Sequence, residues 1–162
     1  MSLRECAQCN GQTKKHAQCS RNTCKLGSLC FQHLKAQQGL AVKPSMLAAA
    51  GQGLFTTKKL NKNTKVASYT GDVLTLPQFE QRYGIDGHGP YAIQTGPNRF
   101  IDARSTQSSV ARYCNACDKP GSKRPCNCKL TSGGGHASLK TTKRVRAGAE
   151  LFTRYGTEYW EP

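Results

Sequence analysis

The residues of this chain best suited to chemistry crowd its first 33 positions. Cys6, Cys9, Cys19, Cys24, Cys30 and His33, with His16 among them, offer soft or borderline metal ligands in a stretch that need not fold alone. Cys30-x-x-His33 makes one half of a tetrahedral zinc site. The other half is either Cys9 with Cys19 or the C-x-x-C pair Cys6 and Cys9, and spacing alone does not choose between them. Nine cysteines is an odd number, and "MSLRECAQCN" lacks the apolar stretch of a secretory leader. Metal in a reducing compartment is therefore expected over a disulfide framework. Cys114, Cys117, Cys126 and Cys128 form a second group, with C-x-x-C and C-x-C spacing that also suits a metal.

A second chemical signal is "AAAGQGLF", residues 48–55. A Gly-x-Gly can open a phosphate-binding loop, but then a helix must follow at once so that its amides face the anion. "LFTTKKL" alternates and is rich in β-branched residues, so it reads as a strand. The glycines read instead as room for backbone to pass close to a ligand. His88 and His136, each beside glycines, read as loop residues, and no Asp/His pair offers a strong general base.

The chain has 162 residues and a net charge of +15, from 24 Lys+Arg against 9 Asp+Glu. That charge favours polyanions, nucleic acid before an anionic membrane. The densest basic stretches hold Lys58, Lys59, Lys62 and Lys65, then Lys140, Lys143, Arg144 and Arg146. No apolar run reaches the roughly 18 residues of a membrane span, so no membrane association is expected.

The elements that must position these groups are short. Sixteen glycines and seven prolines imply many turns. A boundary falls near residues 38–40, dividing a Cys/His module (1–38) from a main domain (39–162). "LAVKPS" reads as a strand stopped by Pro44, with further strands at about 53–57 and 65–70. "TLPQFEQRYG" reads as a short helix, with Thr75 and Gln78 as a capping box and Gly84 past its end. "YAIQT" and "NRFIDA" are two more strands. "SSVARYCNA" is a helical turn, "CDKPGSKRPCN" a loop, and "HASLKTTKRVRAGAELFTRYG" two strands about Ala147-Gly148. The fold class is mostly β, in several small sheets.

Four blocks then carry a resemblance: "GQGLF" (51–55), "ASYTGDV" (67–73), "ARYCNACDKP" with "RPCNCKL" (111–120 and 124–130), and "VRAGAELFTRYGTEYW" (145–160). In this order and spacing the chain resembles SET-domain protein lysine methyltransferases over residues 40–160. Its front module resembles the zinc-type leader of compact members of protist and large-virus type. Three departures stand out. The family's Asn-His is Asn115-Ala116 here, the Asp before its catalytic tyrosine is Arg154, and no cysteine follows Cys128 to build the family's zinc-binding tail.

The resemblance implies a SET fold of small sheets with a knot-like C-terminal segment, and two cofactors, S-adenosylmethionine and zinc. Tyr155 would be the catalytic tyrosine and Tyr69 would line the lysine channel. Gly51, Gly53, Leu54, Arg112, Asn115 and Ala116 would hold the cofactor, and Trp160 would stack on its adenine or close the channel. Tyr83, Tyr91, Tyr113 and Tyr159 stay as half-buried strand aromatics. The leader favours Cys9, Cys19, Cys30 and His33 as zinc ligands, with Cys6 and Cys24 as an extra pair. The implied substrate is a histone or other protein lysine, in the nucleus (a host nucleus for a viral protein). A basic tail meeting a basic chain needs an explanation. Either Asp72, Glu80, Asp86 and Asp102 line a peptide groove, or the basic surface holds nucleosomal DNA. The alternative is an inactive SET protein that serves as a zinc-dependent nucleic-acid- or nucleosome-binding module.

Overall fold

The computed structural model of the chain describes residues 4–85, 87–118 and 124–155. At the front, β1 (Ala7–Gln8) pairs antiparallel with β2 (Asn22–Thr23), Ala7 facing Thr23. That register sets Cys6 beside Cys24, and the two are joined as a disulfide. They are therefore not the extra metal pair the sequence suggested. Helix α1 (Phe31–His33) widens into a turn over Leu34–Gln38 and stops at Gly39, whose φ of +67° is a left-handed cap. The front segment shares the core of the rest: Leu29, Cys30 and Leu34 belong to the same buried cluster as Leu54, Tyr69 and Leu151. Polar ties join them as well, with Gln107 Nε2 donating to the carbonyls of Glu5 (3.0 Å) and Thr23 (2.7 Å).

The remaining elements form small sheets. β3 (Leu40–Pro44) pairs antiparallel with β4 (Gln52–Thr56). β5 (Lys65–Tyr69), β6 (Asp72–Leu74) and helix α2 (Leu76–Tyr83) follow. β7 (Ala92–Gly96) and β8 (Arg99–Asp102) join β6 in the order β6-β8-β7. A 3-10 turn at Val110–Tyr113 leads into β9 (Asn115–Ala116). β10 (Cys128–Gly133) and β11 (His136–Thr141) form a hairpin completed by β5, and β12 (Phe152–Thr153) lies parallel to β9.

Helix α2 begins where its capping chemistry dictates. Both halves of the Thr75/Gln78 capping box form, with a proline in the first turn. Of the expected loop at 117–127, residues 119–123 lie outside the described residues and 124–127 are irregular, but "CKLTSG" is a strand that the sequence reading missed. Its alternation is masked by Lys, Thr and Ser, and three successive glycines hide the hairpin. Gly134 and Gly135, with φ of +58° and +79°, make the turn that returns the chain as β11.

The C-terminal segment runs between two earlier ones. On one side the Leu151 amide donates to Leu54 O (2.7 Å) and the Thr56 amide to Ala149 O (3.0 Å). On the other the Cys117 amide donates to Thr153 O (2.9 Å). This passage brings residues distant in sequence to one place.

Asp102 closes β8 and is fully buried. It accepts from Arg82 Nη1 (2.8 Å), Tyr83 Oη (2.6 Å) and the Arg104 amide (3.0 Å). Arg82 also reaches Asp72 (2.9 Å). Burial, and then the Asp102 hydrogen bond, push the Tyr83 phenol up to about 12. Asp102 is thus a structural anchor and does not line a peptide groove; Asp86 lies outside the described residues. Removing Arg82 would leave a buried carboxylate short of its counter-charge. Arg82→Ala is expected to lower unfolding free energy by about 3 kcal/mol in urea titrations. A loss under about 1 kcal/mol would show that Tyr83 and the backbone suffice.

Candidate functional site

Cys9, Cys19, Cys30 and His33 converge at the front of the molecule, their ligand atoms all within 4.8 Å of one another. The three cysteines are buried. Cys9 Sγ accepts backbone N–H bonds from Gly11 (3.3 Å) and Cys30 (3.1 Å), an arrangement that favours a thiolate. Burial raises the Cys9 thiol. Burial raises Cys30 too, but hydrogen bonds from the His33 amide, the Cys9 side chain and the Gln32 amide outweigh it and bring Cys30 to about 6. His33 Nε2 lies 2.9 Å from Gln12 O. As an N–H donor to that carbonyl it leaves Nδ1, 3.3 Å from Cys9 Sγ and 3.4 Å from Cys30 Sγ, to face the thiols. Gly11 is required beside the ring, since a Cβ there would fall 2.4 Å from His33 Cγ. Three sulfurs and an imidazole without an open position suit a structural zinc ion.

The second cysteine group is split. Cys117 and Cys126 are joined as a disulfide, and Cys114 and Cys128 stay as buried thiols. Burial, with Cys128 beside it, raises the Cys114 thiol. Among the described residues the front cluster is the single group of three or more ligands that converges.

On the main body two cavities share four walls. One, of about 560 Å3, is lined by Gly51, Gln52, Tyr113, Asn115 and Ala116. The other, of about 350 Å3, is lined by Tyr69, Ala111, Leu130, Leu139 and Thr153. Pro90, Tyr91, Arg112 and Tyr155 border both. The Tyr155 hydroxyl donates to Cys114 O (2.9 Å) and that of Tyr69 to Tyr91 O (2.9 Å). Thr153 Oγ1 is buried with no hydrogen-bond partner among the described residues.

The structure brings most of the sequence candidates to these cavities and separates others. Arg112 is buried; its Nε donates to Ala103 O (2.7 Å) and its guanidinium lies 4.0 Å over the Tyr91 ring. Ala116, where the resemblance led to an expected His, lines the first cavity and stands opposite Thr153 in the parallel pair. Gly51 has φ +68° and open space where a Cβ would be. Gly53 faces elsewhere: a Cβ there would meet Glu150 Oε1 at 2.1 Å. Leu54 is fully buried in the core and is absent from both cavity walls. Trp160 lies outside the described residues. Tyr91 and Tyr113, read from the sequence as half-buried strand aromatics, line cavities instead, and Thr153 was not singled out. Nothing local marks them, and only the return of the C-terminal segment makes them walls.

The SET domain family model matches residues 51–156. A histone-lysine N-methyltransferase, H3 lysine-36 specific, of Chaetomium globosum is 28% identical over 87% of this chain and 16% of its own length. The Drosophila melanogaster histone-lysine N-methyltransferase ash1 is 26% identical over 91% of this chain and 7% of its own. The chain thus spans less than a fifth of these relatives. Among solved structures, ctPRC2 in an autoinhibited conformation bound to S-adenosylmethionine superposes with a TM-score of 0.60 at 22% identity, covering 75% of this chain and 15% of that one. A crystal structure of the Chaetomium thermophilum polycomb repressive complex 2 gives 0.59 at 22% identity, over 74% and 15%. These likenesses show a SET fold.

The metal reading has a direct check. Elemental analysis of the purified chain is expected to find one zinc per molecule. Cys9→Ser or Cys30→Ser should lose it, while the double change Cys6→Ser with Cys24→Ser keeps it. Stripping the metal with a chelator is expected to lower the melting temperature by roughly 10 °C, corresponding to about 3 kcal/mol.

Proposed function

The chain belongs to the SET domain family, and from that premise we propose that it is an S-adenosylmethionine-dependent protein lysine N-methyltransferase acting on histone tails in a nucleus. The observation that carries this reading is the pair of cavities bordered in common by Tyr91, Arg112 and Tyr155. A methyl donor and an amine must reach one point from two sides, and such a pair allows it. We assign residues 1–38 as a zinc-binding module that braces the 105–110 segment.

The donor cleft fits its cofactor in kind. It is of ligand size, and Gly51 leaves one wall bare of side chain. Gly51, Gln52, Asn115 and Ala116 would present mainly backbone to the cofactor, with Tyr113 and Arg112 as the aromatic and cationic walls. Bound there, S-adenosylmethionine would supply a methyl group to a neutral lysine amine, the N–C bond forming as the S–C bond breaks.

The protein's own work is alignment and desolvation. The second cavity combines Leu130, Leu139, Ala111 and Ile93 with the rings of Tyr69 and Tyr91. Such a lining disfavours an ammonium and lowers the entering lysine's pKa, so no strong general base is needed. The hydroxyls of Tyr69 and Tyr155 donate to backbone carbonyls. Their lone pairs can then accept from the amine's N–H groups and hold its own lone pair toward the cleft. The closed Cys/His site takes no part in this chemistry.

Mass spectrometry of histones and nucleosomes after incubation with the protein and cofactor tests the reading. A methyl mark on lysine is expected. Tyr155→Phe should cut the rate by about 100-fold while cofactor affinity, measured by calorimetry, changes little. If the wild type binds no cofactor and transfers nothing, the reading fails.

A further inference from the structure

A strongly basic surface among the described residues shares no lining residue with either cavity. A groove of about 760 Å3 is lined by Lys59, Arg124, Lys143, Arg144 and Arg146, with Glu150 as its one acid. The five cations are exposed. The side chains of Lys59, Lys143, Arg144 and Arg146 make no hydrogen bond or ion pair with any described residue. Glu150 does not neutralise them as a surface acid would. It is buried, and its carboxylate is taken up by Ser45 Oγ (2.7 Å), the Met46 amide (2.8 Å) and Asn115 Nδ2 (3.2 Å).

Backbone pairing fixes the cations as one surface. Leu60 and Val145 exchange two hydrogen bonds of 2.9 Å, which sets Lys59 beside the 143–146 run. The Thr142 amide donates to Asn127 O (2.9 Å) and the Phe152 amide to Asn127 Oδ1 (2.8 Å), which draws the Arg124 segment to the same rim. Three segments far apart in sequence thus present one sign of charge.

Resting on the methyltransferase reading, we infer that this groove binds the phosphate backbone of duplex DNA and so seats the enzyme on the nucleosome. Single strands are usually held by stacking bases on aromatic rings, and the one aromatic on this wall, Phe152, is buried. That leaves phosphate contacts, which position a protein without reading sequence. The groove is also compatible with catalysis. In β12 Phe152 faces the groove and Thr153 the substrate cavity, so DNA and peptide would occupy opposite faces. This resolves the meeting of a basic enzyme with a basic tail. Attraction to DNA carries the enzyme to the tail, and Asp102, the most buried of the acids considered for a peptide groove, is committed to the core.

The test uses the full chain and a fluorescent 30-base-pair duplex, read by anisotropy between about 50 and 200 mM NaCl. The groove variant combines Lys143→Ala, Arg144→Ala and Arg146→Ala. A control of equal charge combines Lys14→Ala, Lys15→Ala and Lys129→Ala, and thermal melts confirm both folds. The groove variant is expected to bind at least 10-fold more weakly, with a log K against log salt slope flatter by about 2 to 3. The control should match the wild type. On free histone-tail peptide the groove variant should be no slower than the wild type, and on nucleosomes it should fall several-fold. Equal losses in the two variants, or competition by an acidic peptide as strong as by DNA, would overturn the inference. Absence of methyl transfer from every substrate would sink the enzyme reading instead, leaving the binding arm to stand or fall by itself.

Discussion

The buried carboxylate of Glu150 is the contact on which the working half of the molecule depends. It gathers the 45–46 turn through Ser45 and the Met46 amide, and β9 through Asn115. Its backbone pairs with Phe55 and its carbonyl accepts from Asn127 Nδ2 (2.8 Å). Four segments thus meet at one residue of the C-terminal passage. A buried charge is tolerable only when hydrogen bonds replace its water, and here three do. The same contact explains Gly53. A side chain there would displace the carboxylate, so this glycine is needed for close packing against Glu150, whereas Gly51 leaves the cleft wall open.

That distinction marks how far the sequence could be read. "GQGLF" was legible as a turn and strand. Which of its glycines would border the cleft was not, because the answer lies 97 residues away at Glu150. Leu54 illustrates the same limit: β-branched and alternating character announces a strand, but not that both of its faces are buried from Gly53 to Thr56. Signals closed within a few residues were read well. The Thr75/Gln78 box starts α2 at the expected place, and both partners lie within one turn. Strand β10 was missed because its residues are mostly polar and it lies at the sheet edge, paired only with β11 across a glycine turn that no local pattern marks as a hairpin.

The front Cys/His cluster shows where spacing runs out and geometry narrows the choice. Spacing left two ligand sets open, and the resemblance to compact family members favoured one. The β1–β2 register then places Cys6 against Cys24, across from each other on a two-stranded ribbon. The remaining three cysteines and His33 are left to converge, with Gln12 orienting the imidazole from behind. The cavity walls Tyr91 and Tyr113 carried no signal at all, since each becomes a wall only by packing around Arg112.

Charge behaves differently from either. The lysine and arginine runs were plain in the sequence, but a run says nothing about its partner until the fold says what lies beside it. The Leu60–Val145 bridge turns two runs into one surface, while strand alternation at Phe152 and Thr153 keeps that surface apart from the cavity proposed for substrate. A field of this sign would repel a free basic peptide at long range, within a Debye length of about 8 Å at physiological salt. Phosphates in the groove would cancel that repulsion where it is strongest. On the proposed DNA docking, the same cations that hinder a lone tail would favour a tail presented on DNA, and the basic balance of the chain would become a preference for a substrate in chromatin.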